Sequence, residues 1–342
     1  MDRIKEFWLA TNYSCNNRCA WCYTEPKNFD ATLMPFEYAV QVMDEMKRIG
    51  ANKCTLLGGE PTLHPRLFDM ISYGAGLGLV MKIVTNGTLL SDINFVRELK
   101  KSGISIIALS IHGSTEEMHK RITGSDNLEK SVEAIRNCLS EDMELVTLTN
   151  INGINKDVLF DVASFLNELG VKNIVFNIAV PSDCSDGRSS EYILHPREIA
   201  RLIEATYKEL LANNIKAGFY ASIPLCIYDK EILDEMIRDK YMILLSDGGC
   251  SIYSATGVGF DPMGNLVPCA KKLSTSLVNT MTDDKFIYTN SFYDVWNKVK
   301  HNFGKENWEY ESDKCHDCEM NEYCIGGCPL FWNKFDFEES IK

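Results

Sequence analysis

Three cysteines near the start of the chain have a spacing suited to holding a metal cluster. Cys15, Cys19 and Cys22, called here the front group, lie within NYSCNNRCAWCY. Cysteine thiolates ligate iron–sulfur clusters, so three thiolates would hold three corners of a [4Fe–4S] cubane and leave the fourth iron open. An open coordination position is where a bound metal does chemistry. A zinc site with a fourth ligand from elsewhere is the alternative.

This segment resembles the signature of the radical S-adenosylmethionine (SAM) superfamily, in which an aromatic residue such as Trp21 precedes the third cysteine. The resemblance implies that the open iron binds the amine and the carboxylate of SAM. An electron from the cluster then cleaves SAM to a 5′-deoxyadenosyl radical. The same resemblance places the backbone of Tyr23 near the adenine.

A second motif, GGEP, occupies positions 58–61 at the end of a predicted strand. Glycines permit close backbone approach to a ligand, and a carboxylate accepts hydrogen bonds from an ammonium. The motif resembles the GGEP motif of the radical SAM family. The resemblance implies that Gly58, Gly59 and Glu60 bind the amino group of SAM.

Three further side chains are candidates for the same site. The family resemblance puts Ser110 against the ribose or the carboxylate of SAM. Arg121 would pair with that carboxylate, since guanidinium matches its geometry, and a solvated surface arginine is the alternative. Cys184 follows the sixth predicted strand, where a thiol would give a hydrogen atom to a substrate radical, as in epimerases of this superfamily. A small buried hydrophobe is the alternative for Cys184.

Two more sets of cysteines lie near the C-terminus, at Cys250 and in the stretches GNLVPC and CHDCEMNEYCIGGC. These stretches resemble the SPASM extension of radical SAM peptide-modifying enzymes. The resemblance implies two auxiliary [4Fe–4S] clusters, each held by one set. The middle group is Cys250, Cys269 and Cys328, and the distal group is Cys315, Cys318 and Cys324.

Each auxiliary set contains three assigned cysteines and needs a fourth ligand. The sequence has no cysteine after Cys328, where the family usually supplies one. Asp336, Glu338 or Glu339 would substitute in the distal group as an oxygen ligand, or an iron would stay open. Cys226 is a candidate fourth ligand for the middle group, although it is distant in sequence.

Two other arrangements of these cysteines remain open. The shorter "twitch" extension would hold one cluster with Cys250, Cys269, Cys315 and Cys318. Paired C-x2-C motifs would also hold zinc.

Strand-like and helix-like segments alternate through the first half of the chain. Strands are predicted at 4–11, 53–57, 80–85, 104–111, 145–149 and 172–179, with helical apolar spacing between them. This alternation predicts an α/β fold with a parallel sheet, whose strands carry the chemistry at their carboxyl ends. The resemblance narrows the fold to a partial (β/α)6 TIM-like barrel; periodicity alone also allows an open doubly wound sheet.

The chain is predicted to contain three regions. A radical SAM barrel covers 1–190, and a helical bridging region covers 191–247, with helices at 196–213 and 230–245. A cysteine-rich SPASM or twitch domain for the auxiliary clusters covers 248–342. Sequences with so little periodicity usually need metal to become ordered.

Composition limits the compartment and the partners. Thirteen cysteines without a secretory signal are typical of a cytoplasmic protein with metal or catalytic thiols. A net charge of −13 argues against nucleic acid as a partner. The apolar stretches are far shorter than the roughly 18 residues of a membrane helix. A reductant such as flavodoxin or ferredoxin is an expected partner.

The resemblance implies a radical SAM oxidoreductase that modifies a ribosomally made peptide or protein by a crosslink, an epimerisation or an oxidation. The front group lies close to the first residue, so we expect a separate leader-binding protein. A dehydrogenase or epimerase of a small molecule such as an aminoglycoside is the alternative enzyme. A non-catalytic iron–sulfur electron-transfer protein is the alternative outside enzymes, and the open front site with GGEP argues against it.

Overall fold

The computed structural model describes most of the chain. The described residues are 4–24, 32–182, 188–244, 250, 256–272, 276, 278–281 and 312–341. Cys184, the candidate hydrogen-atom donor, lies outside them.

One open sheet of 11 strands forms the centre of the described structure, in the order β11-β10-β9-β1-β2-β3-β4-β5-β6-β7-β8. From β9 through β1 to β8, neighbouring strands are parallel, whereas β10 is antiparallel to both β9 and β11. The strands are β1 (Glu6–Ala10), β2 (Lys53–Leu57), β3 (Val80–Thr85), β4 (Ile106–Ser110), β5 (Leu145–Ile151), β6 (Asn173–Ile178), β7 (Gly218–Tyr220), β8 (Met242–Ile243), β9 (Gly257–Phe260), β10 (Asn265–Val267) and β11 (Val278–Asn279).

Helices connect the parallel strands and pack on the sheet through their apolar faces. In α1, for example, Val42, Met43 and Met46 are fully buried in the core that the helices share with the strands. These connecting helices are α1 (Phe36–Arg48), α2 (Leu67–Gly76), α3 (Ile93–Ser102), α4 (Glu116–Thr123), α5 (Leu128–Ser140), α6 (Leu159–Glu168), α7 (Pro196–Ala212) and α8 (Lys230–Arg238). The described residues contain no helix with the length and apolar character needed to cross a bilayer.

The six predicted strands are confirmed with small shifts of their ends, whereas the five strands β7 to β11 were not predicted. Met242–Ile243 was predicted to lie in a helix over 230–245, but that helix ends at Arg238. Lys240 has a φ of 58°, in the left-handed region, which stops the helix and turns the chain into β8. The segment 191–247 is therefore not purely helical, because it adds β7 and β8 to the sheet.

The C-terminal strands attach beside the start of the barrel. β9 pairs with β1, and a tight turn at Gly264, whose φ is 83°, leads into β10. The buried Asp261 in this turn accepts hydrogen bonds from the backbone N–H of Asn265 (2.7 Å) and from the hydroxyl of Tyr13 (2.7 Å). Because Tyr13 follows β1, this contact ties the C-terminal hairpin to the loop that carries the front group.

Candidate cluster and SAM site

The front group lies in the loop after β1, and the C-terminal end of α4 holds the backbone of that loop. The N–H of Arg18 donates to the carbonyl of Thr123 (2.7 Å), and the N–H of Ala20 donates to the carbonyl of Ile122 (2.9 Å). These two bonds flank Cys19. Backbone hydrogen bonds to α4 therefore hold the loop on both sides of Cys19.

The three thiols of the front group lie close enough together to interact. Burial raises the pKa of the Cys15 thiol to about 12, and the charges of Glu60 and Cys22 act in the same direction. Burial also raises the pKa of Cys19, to which Cys22 and Cys15 contribute. A metal deprotonates a coordinating thiol. The positive charge of bound iron would then offset the repulsion between the three thiolates. An all-thiolate donor set of this kind fits an iron–sulfur cluster.

Glu60 is buried among hydrogen-bond donors at the ends of two strands. Its Oε1 accepts from the backbone N–H of Thr62 (3.1 Å), the hydroxyl of Thr62 (2.6 Å) and the hydroxyl of Thr85 (2.6 Å). Its Oε2 accepts from the backbone N–H of Asn86 (2.7 Å). Burial raises the pKa of this carboxyl, and the hydrogen bonds oppose the rise. The side chain thus joins the turn after β2 to the turn after β3.

The turn after β2 packs so closely against the front loop that positions 58 and 59 require glycine. Gly58 has a φ of 140°, and a Cβ there would lie 2.3 Å from the carbonyl oxygen of Asn12. A Cβ on Gly59 would lie 2.2 Å from the carbonyl oxygen of Ser14. The sequence predicted a close approach to a ligand, and the structure shows a close approach to the backbone that precedes Cys15.

The other predicted SAM contacts differ in their placement. Ser110 is the last residue of β4 and is half-buried at the carboxyl edge of the sheet. Arg121 is exposed on α4, and the backbone of the next two residues makes the α4 contacts to the front loop. Tyr23 lies under the Lys271 ammonium, whose Nζ is 4.0 Å from the centre of its ring.

Polar and aromatic contacts that the sequence did not single out complete the front loop. Asn127 Nδ2 donates to Asn17 Oδ1 (3.0 Å), which links the start of α5 to the loop. Asn86 Nδ2 donates to Asn16 Oδ1 (2.6 Å). Trp21 meets His112 edge to face, with ring centres 4.9 Å apart. Of these contacts, only the one made by Asn86 had a recognisable sequence signal, the Asn86-Gly87 turn after β3. No spacing rule predicts the partners of asparagine side chains in loops.

The middle group adjoins the front group. Burial raises the pKa of Cys328 to about 12, and the thiolates of Cys250 and Cys269 contribute to the rise. Lys271 lies between the two groups: burial lowers its pKa, while the thiolates of Cys269, Cys22 and Cys328 oppose that change. One half-buried ammonium therefore lies near thiols from both groups.

The distal group forms a separate set. Burial raises the pKa of Cys315 to about 11, and the thiolates of Cys324 and Cys318 contribute. Cys226 lies beside this group and not beside the middle group, where the sequence placed it. Because Cys315 and Cys318 lie with Cys324, the structure does not favour the twitch arrangement, which would combine them with the middle group.

Within the described residues, no group of three or more His, Cys, Asp or Glu is arranged to hold a single metal ion. A [4Fe–4S] cluster binds each of its cysteines at a different iron. The thiols of one group therefore need to surround a cluster and not to meet at one point.

Comparison with known proteins assigns the family. Residues 10–178 match the radical SAM superfamily. The chain belongs to this superfamily. A probable GTP 3′,8-cyclase of Saccharolobus islandicus is 29% identical over 173 residues, which cover 50% of this chain and 56% of that protein. One of Thermococcus kodakarensis is 26% identical over 181 residues, covering 52% and 58%. The chain thus spans little more than half the length of these curated relatives.

Solved structures share the fold over nearly the whole chain. SuiB of Streptococcus suis bound to S-adenosylmethionine has a TM-score of 0.71 at 16% identity, covering 98% of this chain and 75% of SuiB. The protein anSMEcpe with bound AdoMet has a TM-score of 0.70 at 18% identity, covering 98% and 95%. The predicted partial barrel with a cysteine-rich SPASM-type C-terminal region is confirmed.

Proposed function

We propose that this protein is a radical SAM enzyme that modifies a ribosomally made peptide or protein, by a crosslink, an epimerisation or an oxidation. One observation carries the proposal: its fold matches, over almost its full length, proteins solved with peptides. SuiB bound to the precursor peptide SuiA has a TM-score of 0.73. The complex of anSMEcpe with AdoMet and the Cp18Cys peptide has a TM-score of 0.68.

The front group would hold the [4Fe–4S] cluster that binds SAM. With both bound, such a site supplies a 5′-deoxyadenosyl radical for hydrogen abstraction. Glu60 would receive the SAM ammonium at Oε2, which accepts one of its four hydrogen bonds, while Oε1 accepts three. Tyr23 and Ser110 would line the adenosine.

The middle and distal groups would hold auxiliary [4Fe–4S] clusters, whose chemistry is electron uptake or substrate binding. Their all-thiolate donor sets support this assignment. Lys271 would offset negative charge where the middle group faces the front group, because its ammonium lies near thiols of both. Cys184 remains a candidate donor of a hydrogen atom to the substrate radical.

GTP cyclisation is the second candidate, favoured by the names of the curated relatives. Their match covers 50% of this chain at 29% identity, whereas the structural likeness to SuiB covers 98%. The relatives therefore support SAM chemistry over half of the chain, and the likeness that includes the cysteine-rich region supports a peptide substrate. A flavodoxin or ferredoxin would supply the electron, and a separate leader-binding protein would present the peptide.

The test is production of 5′-deoxyadenosine by the anaerobically reconstituted and reduced protein with SAM. Peptides encoded beside the gene, GTP and an aminoglycoside are added separately. We expect a peptide to raise the rate by about tenfold or more, equivalent to ~1.4 kcal/mol in activation free energy. A response to GTP alone would contradict the peptide proposal. No 5′-deoxyadenosine under any condition would favour an electron-transfer protein.

A further inference from the structure

A cysteine from a different part of the chain approaches the distal group. Cys226 lies in a short 3-10 helix, Leu225–Ile227, that follows β7. The backbone N–H of Leu225 donates to the Sγ of Cys324 at 3.2 Å. The residue next to Cys226 is thus in direct contact with a thiol of the distal group.

Close backbone packing fixes this approach. The N–H of Cys328 donates to the carbonyl of Ser222 (2.8 Å). Gly327 has a φ of 76°, and a Cβ there would lie 2.9 Å from Cδ of Pro224 and 3.0 Å from Cα of Ile223. Any larger residue at 327 would separate the two segments, so glycine keeps the turn before Cys226 against the loop after Cys324.

The electrostatic surroundings of Cys226 name its neighbours. Cys226 is exposed, but partial desolvation raises the pKa of its thiol to about 11, and the thiolates of Cys324, Cys315 and Cys318 act in the same direction. Every member of the distal group therefore acts on Cys226. Four thiols in one place match the four-cysteine ligation of a [4Fe–4S] cluster.

Two of the three oxygen ligands that the sequence offered for this position, Glu338 and Asp336, have other partners. Glu338 forms an ion pair with Lys314 (2.7 Å) and accepts a hydrogen bond from the hydroxyl of Ser312. Asp336 accepts from the backbone N–H of Glu339 at 2.7 Å and so caps the short helix Phe337–Ile341. A carboxylate ligand would have to break these contacts, whereas Cys226 needs to break none of them.

We propose that Cys226 is the fourth thiolate ligand of a [4Fe–4S] cluster held by the distal group. The inference rests on the auxiliary-cluster part of the proposed function and is independent of the substrate. Four thiolates leave no iron of the distal cluster open. The distal site would therefore differ in kind from the front site, whose fourth iron is kept for SAM.

The experiment uses the full chain with the front group replaced by alanine, so that all remaining iron belongs to the C-terminal groups. Iron, sulfide and zinc are measured after anaerobic reconstitution, together with the electron paramagnetic resonance spectrum. Cys226→Ala is expected to lower iron by about four atoms per chain, one [4Fe–4S] cluster, or to produce a [3Fe–4S] signal. The control is Cys138→Ala, which removes a buried thiol of α5 and should change neither quantity.

Cys226→Ser provides a second variant that keeps a ligand atom. It should retain iron and shift the g values of the reduced distal cluster, because oxygen replaces sulfur at one iron. Unchanged iron and an unchanged spectrum in both Cys226 variants would overturn the inference.

Double variants identify the group to which Cys226 belongs. Adding Cys226→Ala to Cys324→Ala should remove no further iron, whereas adding it to Cys328→Ala should remove more, since only residues of one site are non-additive. The reverse pattern would assign Cys226 to the middle group and contradict the proposal. The reference is the protein that lacks the front group but keeps Cys226. If it contained zinc or no iron, both the inference and the auxiliary clusters would be overturned. If it contained iron and the Cys226 variants matched it, the inference alone would be overturned.

Discussion

The front group and the distal group are both sets of cysteines, but the protein holds them by different means. The front loop is fixed by the ends of β1, β2 and β3 and by the backbone of α4. The distal group lies on short turns, with Asn321–Cys324 as its longest helical segment. The first site is shaped by the hydrogen-bonded strands and helices around it, so we expect the second site, on short turns, to depend more on what it binds.

The middle group belongs partly to each kind of site. Cys269 follows β10, which is part of the large sheet, while Cys328 lies in the same loops as the distal group. Lys271 adds a half-buried positive charge near Cys22. The nearer a cysteine group lies to the parallel sheet, the more of its backbone is therefore held by strands and helices.

The largest expected effect comes from removing the central ligand of the front group. Cys19→Ala should lower SAM cleavage by at least about a hundredfold, or ~2.7 kcal/mol in activation free energy, because the cluster loses one of its three thiolates. Chromatography of 5′-deoxyadenosine measures the loss. Iron in the middle and distal groups should remain, since those cysteines are untouched.

Cys138→Ala is the control for this variant and should cleave SAM normally. If Cys19→Ala retained cleavage, the front group would not be the SAM-binding cluster. If it also lost all C-terminal iron, the two regions would not be held independently, and the comparison would fail.

Removal of iron should lower the local stability of the C-terminal region more than that of the barrel. After anaerobic chelation, amide hydrogen exchange in residues 312–341 should accelerate by about tenfold or more, equivalent to ~1.4 kcal/mol of local opening free energy. Exchange in β2 to β5 should change little, because the helices and the sheet protect those amides. Equal acceleration in both regions would show that the barrel also depends on metal.

The buried carboxylate beside the front loop should show a comparable effect on global stability. Glu60→Gln places an NH2 group where the carboxylate accepts hydrogen bonds from Thr62, Thr85 and Asn86. Leaving such buried donors unsatisfied costs about 1–3 kcal/mol, so the free energy of unfolding should fall by that amount in denaturant titrations. The affinity for SAM should fall as well.

Glu98→Gln changes an exposed glutamate of α3 in the same way and serves as the control. It should leave both the stability and the SAM affinity unchanged. A Glu60→Gln protein as stable as the control would mean that the carboxylate does not connect the turns after β2 and β3.

The sequence predicted the barrel for a physical reason. Buried parallel strands such as Ile106–Ser110 are continuous apolar runs, and the helices between them repeat apolar residues on one face. The resemblance to the SPASM extension also divided the C-terminal cysteines into the middle and distal groups, and in the structure thiols within each group raise one another's pKa. Periodicity carried no information on β7 and β8, which are three and two residues long, respectively.

Contacts between distant segments were the other limit. Cys226 meets the distal group because glycine at 327 lets two turns touch, and no spacing rule relates residue 226 to residue 324. The burial of Glu60 among hydroxyl donors was equally invisible, since Thr85 comes from the next strand. Sequence patterns show local periodicity, whereas these contacts arise from the packing of the completed fold.

The smallest expected effect is a dependence of barrel stability on pH. Burial lowers the pKa of His112 to about 3 from an ordinary value of 6.5, with a smaller contribution from His119, and burial also lowers the pKa of His64. His112 accepts a hydrogen bond at Nδ1 from the N–H of Asn150 (3.3 Å), which protonation would break. The folded protein therefore keeps this ring neutral while the unfolded chain takes up a proton.

Because the unfolded state binds more protons below pH 6.5, the free energy of unfolding must fall as the pH falls toward the folded value. From pH 7.5 to 6.0 the loss from His112 alone is about 0.8 kcal/mol. Urea titrations at both pH values measure it, and His112→Asn should be less sensitive to pH by that amount. An equal pH dependence in the variant would show that His112 takes up a proton in the folded protein as it does in the unfolded chain. The edge-to-face contact with Trp21 would then not require a neutral imidazole.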